Sequence, residues 1–273
     1  MARKILLASG CSYTDKDFRS ATDLSVVVDW DPWPQYVADA LNLQCVNKGQ
    51  CGAGADYIFD SIMDGIAEYG NRIDTIMVLW TGADRTEFFD RVLLPIPECH
   101  LDNVATNMDW QKDLGFNNLS YSYLNSPDTN KKTIYNRMMV NPLRKMFTLL
   151  QICERLNIKV IMGQGLVYLN SPAINRLIDD GKLHESCRLS PDEMSEMFMK
   201  NPYFPQLEKK KKHFVGWPFL RSIGGYALDY IRFDMGKDYF CSDIDWHPNK
   251  LGHELFAEKF LEQYYKVYDK PQM

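Results

Sequence analysis

The run Ile5-Leu6-Leu7-Ala8 is apolar without interruption and stops abruptly at Ser9-Gly10-Cys11-Ser12. That is the pattern of a strand buried on both faces that feeds a loop. From Pro34 to Leu41 the period changes, with Tyr36, Val37, Ala40 and Leu41 on one helical face. Gln44 to Asn47 predicts a short strand. Ala53 to Tyr69 predicts a helix with Ile58, Ile62 and Ile66 at four-residue spacing, and Asp74 to Trp80 a strand of Ile76, Met77, Val78 and Leu79. An order of β-α-β-α-β predicts parallel strands joined by helical crossovers.

The alternation stalls between about 86 and 141, a stretch rich in Asn, Asp, Pro and aromatic residues, and resumes with a helix from Leu143 to Leu156 and a strand from Lys159 to Met162. A second irregular block runs from about 167 to 225. It holds one sharp local signal, Ser190-Pro191-Asp192-Glu193, in which Ser190 caps, Pro191 takes the first helical position and Glu193 completes a capping box. The helix so begun places Met194, Met197 and Phe198 on one face and ends near Asn201-Pro202. Lys250 to Val267 predicts a closing helix with Leu251, Leu255, Phe256, Phe260, Leu261 and Tyr264 at helical spacing. A single α/β domain over 1–273, with insertions at about 86–141 and 167–225, accounts for the whole pattern.

Composition narrows the class. With 273 residues and 45% hydrophobic content the chain can bury a large core. Its net charge of -5, from 31 basic and 36 acidic residues, argues against nucleic acid or an anionic membrane as a partner. The seven cysteines are odd in number, scattered and without a Cys-x-x-Cys pair, which suits reduced thiols in the cytoplasm and speaks against a zinc site. The first apolar run is too short for a signal peptide or a membrane span.

Three loops carry candidate chemistry. Ser12 follows the first strand, at the edge where open parallel sheets bind ligands. Val46-Asn47-Lys48-Gly49-Gln50-Cys51-Gly52-Ala53-Gly54 is a glycine-rich loop ahead of a helix, where backbone N–H groups can approach an anion. Asp245-Trp246-His247-Pro248 precedes the closing helix. Brought together, a hydroxyl, an imidazole, a carboxylate and free N–H donors are the parts needed for acyl transfer.

These blocks resemble the SGNH (GDSL-like) hydrolase superfamily. Gly10-Cys11-Ser12 is similar to its first block, Asn47 with Gly52 to its second, Gly82-Ala83-Asp84-Arg85 to its third and Asp245-Trp246-His247-Pro248 to its last. The resemblance implies a flavodoxin-like three-layer α/β/α sandwich on a mostly parallel five-stranded sheet. It further implies an esterase or deacetylase with Ser12 as nucleophile, His247 as base, and Gly52 and Asp84 at the oxyanion and substrate site. No metal or organic cofactor is implied, and the expected substrate is a small-molecule or carbohydrate ester.

The resemblance departs in two places. The position three before the histidine is Ile244, with acids instead at Asp243 and Asp245; Asp245 is the expected triad member because a shorter Asp-x-His spacing looks tolerable within the superfamily. Asp84 replaces an asparagine and so removes an amide donor. An ionised Asp84 would repel a developing oxyanion, which points to an alternative: a catalytically weak binding protein using the same pocket. A nucleotide-binding reading is disfavoured, because the glycines at 49, 52 and 54 lack the dinucleotide order and follow the second strand.

The remaining features read as structural. Lys209 to Lys212 form a solvated charged segment, Glu98-Cys99-His100 with Asp102 a loop, and His253 a packing or surface residue. Trp110, Tyr121, Tyr123 and Trp217 fit packing of the insertions better than sugar stacking.

Overall fold

A computed structural model describes residues 3–83, 131–168, 179, 188 and 190–269. Five strands, β1 (Ile5–Gly10), β2 (Gln44–Asn47), β3 (Ile73–Trp80), β4 (Lys159–Gln164) and β5 (Phe214–Val215), pair in the order β2-β1-β3-β4-β5. Every pairing is parallel, with Leu7 opposite Val46 on one side and Ile76 on the other, Trp80 opposite Gln164 and Met162 opposite Phe214. A parallel sheet must be covered on both faces, which is why β1 is buried at all six positions and reads as a continuous apolar run.

The covering helices are α1 (Trp33–Ala40), α2 (Ala55–Tyr69), α3 (Lys131–Leu156), α4 (Pro191–Met199), α5 (Phe204–Glu208), α6 (Leu228–Met235) and α7 (Lys250–Tyr268). α1 and α7 pack together on one side of the sheet, and α2 with α3 on the other, which makes three layers. Trp33 of α1 stacks on Phe260 of α7 with centroids 4.2 Å apart. On the far side Gly65 lets α2 approach β1 closely, since a Cβ there would sit 2.6 Å from Leu7 Cδ2. One hydrophobic core cluster spans the sheet and the helices on both of its faces.

Two details differ from the sequence reading, while the mostly parallel five-stranded sheet forms as expected, with every pairing among the described strands parallel. The helix expected at Leu143 begins at Lys131, so Pro142 lies inside it; a proline normally marks a boundary because it removes one backbone bond, but a helix this long keeps its path around it. The fifth strand falls inside the block read as irregular from 167 to 225, because a two-residue strand is too short to show any periodicity. Within that same block the capping box at Ser190 forms in full, and Met194, Met197 and Phe198 are buried as the spacing predicts.

The topology also decides where a site can stand. From β1 the chain moves outward to β2, then returns to place β3 on the opposite flank of β1. Where connections diverge to either side, a crevice opens beyond the carboxyl ends of the strands. Ser12 lies two residues past the end of β1, at that crevice.

Candidate active site

β1 ends in a tight turn, with the Cys11 carbonyl accepting from the N–H groups of Thr14 (2.8 Å) and Asp15 (3.1 Å). Only glycine fits at position 10, since a Cβ would lie 2.1 Å from Thr14 Oγ1 and 2.9 Å from the Leu79 carbonyl. The turn presents Ser12, which is 3% exposed.

The glycine-rich loop is laced onto this turn. Asn47 Nδ2 donates to the Thr14 carbonyl at 2.5 Å while Asn47 Oδ1 accepts from Gly49 N–H at 2.8 Å. Gln50 N–H donates to the Gly10 carbonyl (3.0 Å), and Cys51 N–H to Asp15 Oδ2 (2.8 Å). Gly52 has φ of 76°, a left-handed conformation that suits glycine. The N–H groups of Ser12 and Gly52 donate to no protein acceptor among the described residues. Two unclaimed donors on adjoining loops are what an oxyanion hole requires.

The third loop folds on itself through Cys241 N–H to His247 O (2.9 Å) and Asp245 N–H to Ser242 Oγ (3.1 Å). Asn249 then caps α7 through Gly252 N–H at 3.2 Å. Asp245 Oδ1 accepts twice from His247, from its backbone N–H at 3.0 Å and from Nδ1 at 2.5 Å, and His247 Nε2 stands 3.1 Å from Ser12 Oγ. This network assigns the proton to Nδ1 and leaves Nε2 as the acceptor facing the hydroxyl.

Asp245 is 1% exposed. Burial on its own would raise its pKa, but the hydrogen bonds from the His247 ring and backbone, with the Ser20 hydroxyl nearby, outweigh burial and hold it down at about 2. Asp243 stands elsewhere, largely exposed and paired with Lys237 Nζ at 2.6 Å. Asp84 lies outside the described residues, as do Trp110, Tyr121, Tyr123 and the Glu98-Cys99-His100-Asp102 group. Trp217 packs among Phe198, Phe204, Phe214 and Phe219. Lys210 and Lys211 form surface ion pairs with Glu154 and Glu208.

Several residues at the site escaped the sequence reading. Phe18 lies against the imidazole at 4.4 Å between centroids, and Tyr13 meets it edge-on at 5.5 Å, so the ring is held from two sides. Asn47, read only as part of a block, acts here as a clamp between two loops. His253 is 4% exposed and accepts from Trp33 N–H at Nδ1 (3.3 Å). Its burial, with the charges of Arg232 and His247 adding to it, lowers its pKa to about 3 and keeps it neutral. No signal in the sequence distinguishes Phe18 or Tyr13 from ordinary core positions, whereas Asn47 is marked by its block and His253 is a packing residue, as the sequence reading has it.

Among the described residues no group of three His, Cys, Asp or Glu could hold a metal ion, and no helix is long and apolar enough to cross a membrane. No family model and no curated protein matches the chain. Among solved structures it is similar to Axe2, an acetylxylan esterase from Geobacillus stearothermophilus, at 15% identity, covering 96% of this chain and 94% of that one with a TM-score of 0.40. It is also similar to LAE5, an alpha/beta hydrolase enzyme from the metagenome of Lake Arreo, Spain, at 14% identity, 96% and 94% coverage and a TM-score of 0.41. A member of the lipolytic protein G-D-S-L family from Veillonella parvula is similar at 12% identity, with 98% and 100% coverage and a TM-score of 0.43. Likeness of this degree carries no weight for activity, and what the site can do follows from its own geometry.

Proposed function

We propose that the protein is a serine ester hydrolase, built as one catalytic domain, that acts on small-molecule or carbohydrate esters. The observation that carries this reading is the chain of contacts from Ser12 Oγ to His247 Nε2 (3.1 Å) and from His247 Nδ1 to Asp245 Oδ1 (2.5 Å). A hydroxyl is a weak nucleophile until a base takes its proton, and a base is effective when a third group fixes its tautomer.

In the first step His247 Nε2 accepts the Ser12 proton as Oγ bonds to the ester carbonyl carbon. The carbonyl oxygen becomes an oxyanion facing the N–H groups of Ser12 and Gly52, and Asp245 stabilises the imidazolium. Nε2 then returns the proton to the departing alkoxide, leaving an acyl group on Ser12. In the second step water attacks that acyl group and gives a proton to Nε2. Collapse of the second oxyanion expels Ser12 Oγ, which takes the proton back.

The test is covalent labelling with a fluorophosphonate, read beside hydrolysis of short-chain acyl esters. Wild type is expected to be labelled and to hydrolyse esters, whereas Ser12→Ala loses labelling and both Ser12→Ala and His247→Ala lose at least about a thousandfold in rate. Hydrolysis by Ser12→Ala at the wild-type rate would overturn the reading.

A further inference from the structure

Behind the imidazole lies a charge pair that takes no part in the steps above. Asp229 and Arg232, one turn apart on α6, are 5% and 0% exposed. Arg232 Nη2 meets Asp229 Oδ1 at 2.5 Å and the Tyr13 hydroxyl at 3.0 Å, and that hydroxyl in turn donates to Asp229 Oδ2 at 3.2 Å. Arg232 Nη1 donates to the Trp246 carbonyl. The guanidinium lies over the rings of Phe240 (4.4 Å) and Tyr13 (5.1 Å).

The acceptors belong to three separate parts of the site. Tyr13 follows Ser12, Trp246 stands between Asp245 and His247, and Asp229 lies on α6. The Trp246 carbonyl shares a peptide plane with the His247 N–H that bonds Asp245 Oδ1. Holding that carbonyl therefore sets the plane on which the Asp245–His247 pair is hung. Through the Tyr13 hydroxyl the same guanidinium is tied to the nucleophile turn, whose Tyr13 ring rests on the imidazole. Two loops that are 235 residues apart at Ser12 and His247 are thus referenced to one rigid fork.

A buried ion pair is a poor source of net stability, because desolvation consumes most of the Coulomb gain and apolar side chains could fill the same volume. What the pair supplies is direction. The planar guanidinium donates along fixed, divergent lines, which an ammonium cannot reproduce. Resting on the reading of Ser12 and His247 as nucleophile and base, we infer that Arg232 is a positioning residue that holds the His247 loop in register with the Ser12 turn. Asp229 and Tyr13 orient its fork.

Arg232→Lys keeps the charge and removes the fork. The expected result is fluorophosphonate labelling slowed at least about tenfold per folded molecule, with kcat on a short-chain ester falling alike and KM within about twofold. The low-field proton resonance of His247 Nδ1, which depends on the short contact to Asp245, is expected to broaden or move upfield. Wild-type labelling and kcat with an unmoved resonance overturn the inference, as does a lower melting temperature accompanied by full activity below it. Should Arg232→Lys not fold, Tyr13→Phe carries the test, since the ring stays against His247 and only the hydroxyl is lost. It is expected to label at least about threefold more slowly at unchanged KM, and a wild-type rate overturns the inference. Failure of the underlying reading is recognised separately, by wild-type protein that is not labelled at all or by labelling that survives Ser12→Ala. The Nδ1 resonance needs no substrate, so it still reports whether Arg232 sets the Asp245–His247 pair.

Discussion

Asp245 Oδ1 receives two hydrogen bonds from one residue, and this is how an Asp-x-His spacing would serve the proposed mechanism. With the acid two positions before the histidine, the chain turns back so sharply that the same oxygen takes both the His247 backbone N–H and its ring Nδ1–H. The backbone bond fixes the carboxylate, and the fixed carboxylate fixes the ring. Asp245→Asn leaves an oxygen able to accept but removes the charge that stabilises an imidazolium. Steady-state kinetics on an acyl ester should show kcat lower by about 10³–10⁴-fold in that variant. Asp243→Asn should stay within about twofold of wild type, because Asp243 is engaged with Lys237 at the surface. A reversal of those two results would move the third member of the constellation to Asp243.

At the scale of elements, the site depends on how closely two loops approach. Gly49 lies so near the nucleophile turn that a Cβ would stand 2.7 Å from the Thr14 carbonyl carbon and its side chain. Gly49→Ala must therefore push the glycine-rich loop off the turn, weakening the Asn47 clamp and displacing the Gly52 N–H. Displacement of about 1 Å is enough to cost on the order of a hundredfold in rate. Labelling kinetics compared with a melting curve would test this, the expected result being a rate loss far larger than any loss of folded protein. The same closeness explains what was legible beforehand. The buried strands, the capped helix at Ser190 and the loops bearing Ser12, Gly52 and His247 all announce themselves through local pattern, so they could be placed from residues alone. β5, with two residues, has no period to read. Arg232, Phe18 and the clamp made by Asn47 are defined only by partners far along the chain, and no local window contains those partners.

For the whole molecule, two buried groups act in acid windows that overlap only at their edge. His253 binds its proton at about pH 3 when folded, against about 6.5 when free. Between those values the unfolded chain holds a proton that the folded chain refuses, so stability falls as pH drops, by up to about 1.4 kcal/mol per pH unit. Asp245, depressed to about 2, behaves as a paired carboxylate: its contribution is present above about pH 4 and is lost as pH falls from there to about 2. Urea unfolding at pH 7, 6, 5, 4 and 3 should therefore show a steep decline in wild type and a flatter one in His253→Gln, while Asp245→Asn is less stable by a near-constant amount at the higher points and converges on wild type only below about pH 4. Equal slopes for wild type and His253→Gln would assign the decline to other groups.

The joint that closes α1 onto α7 has a kinetic side. Trp33 touches both ends of the chain at once, through its backbone to His253, its indole Nε1 to Thr14 Oγ1 at 3.1 Å and its ring to Phe260. Pairings as distant as these close late, since the loop between them must be gathered before any contact rewards it. During synthesis the Ser12 hydroxyl emerges 235 residues ahead of the imidazole it faces in the folded protein. Until α7 locks against α1 there is no imidazole beside Ser12, so on the proposed mechanism the hydroxyl stays inert until that joint closes.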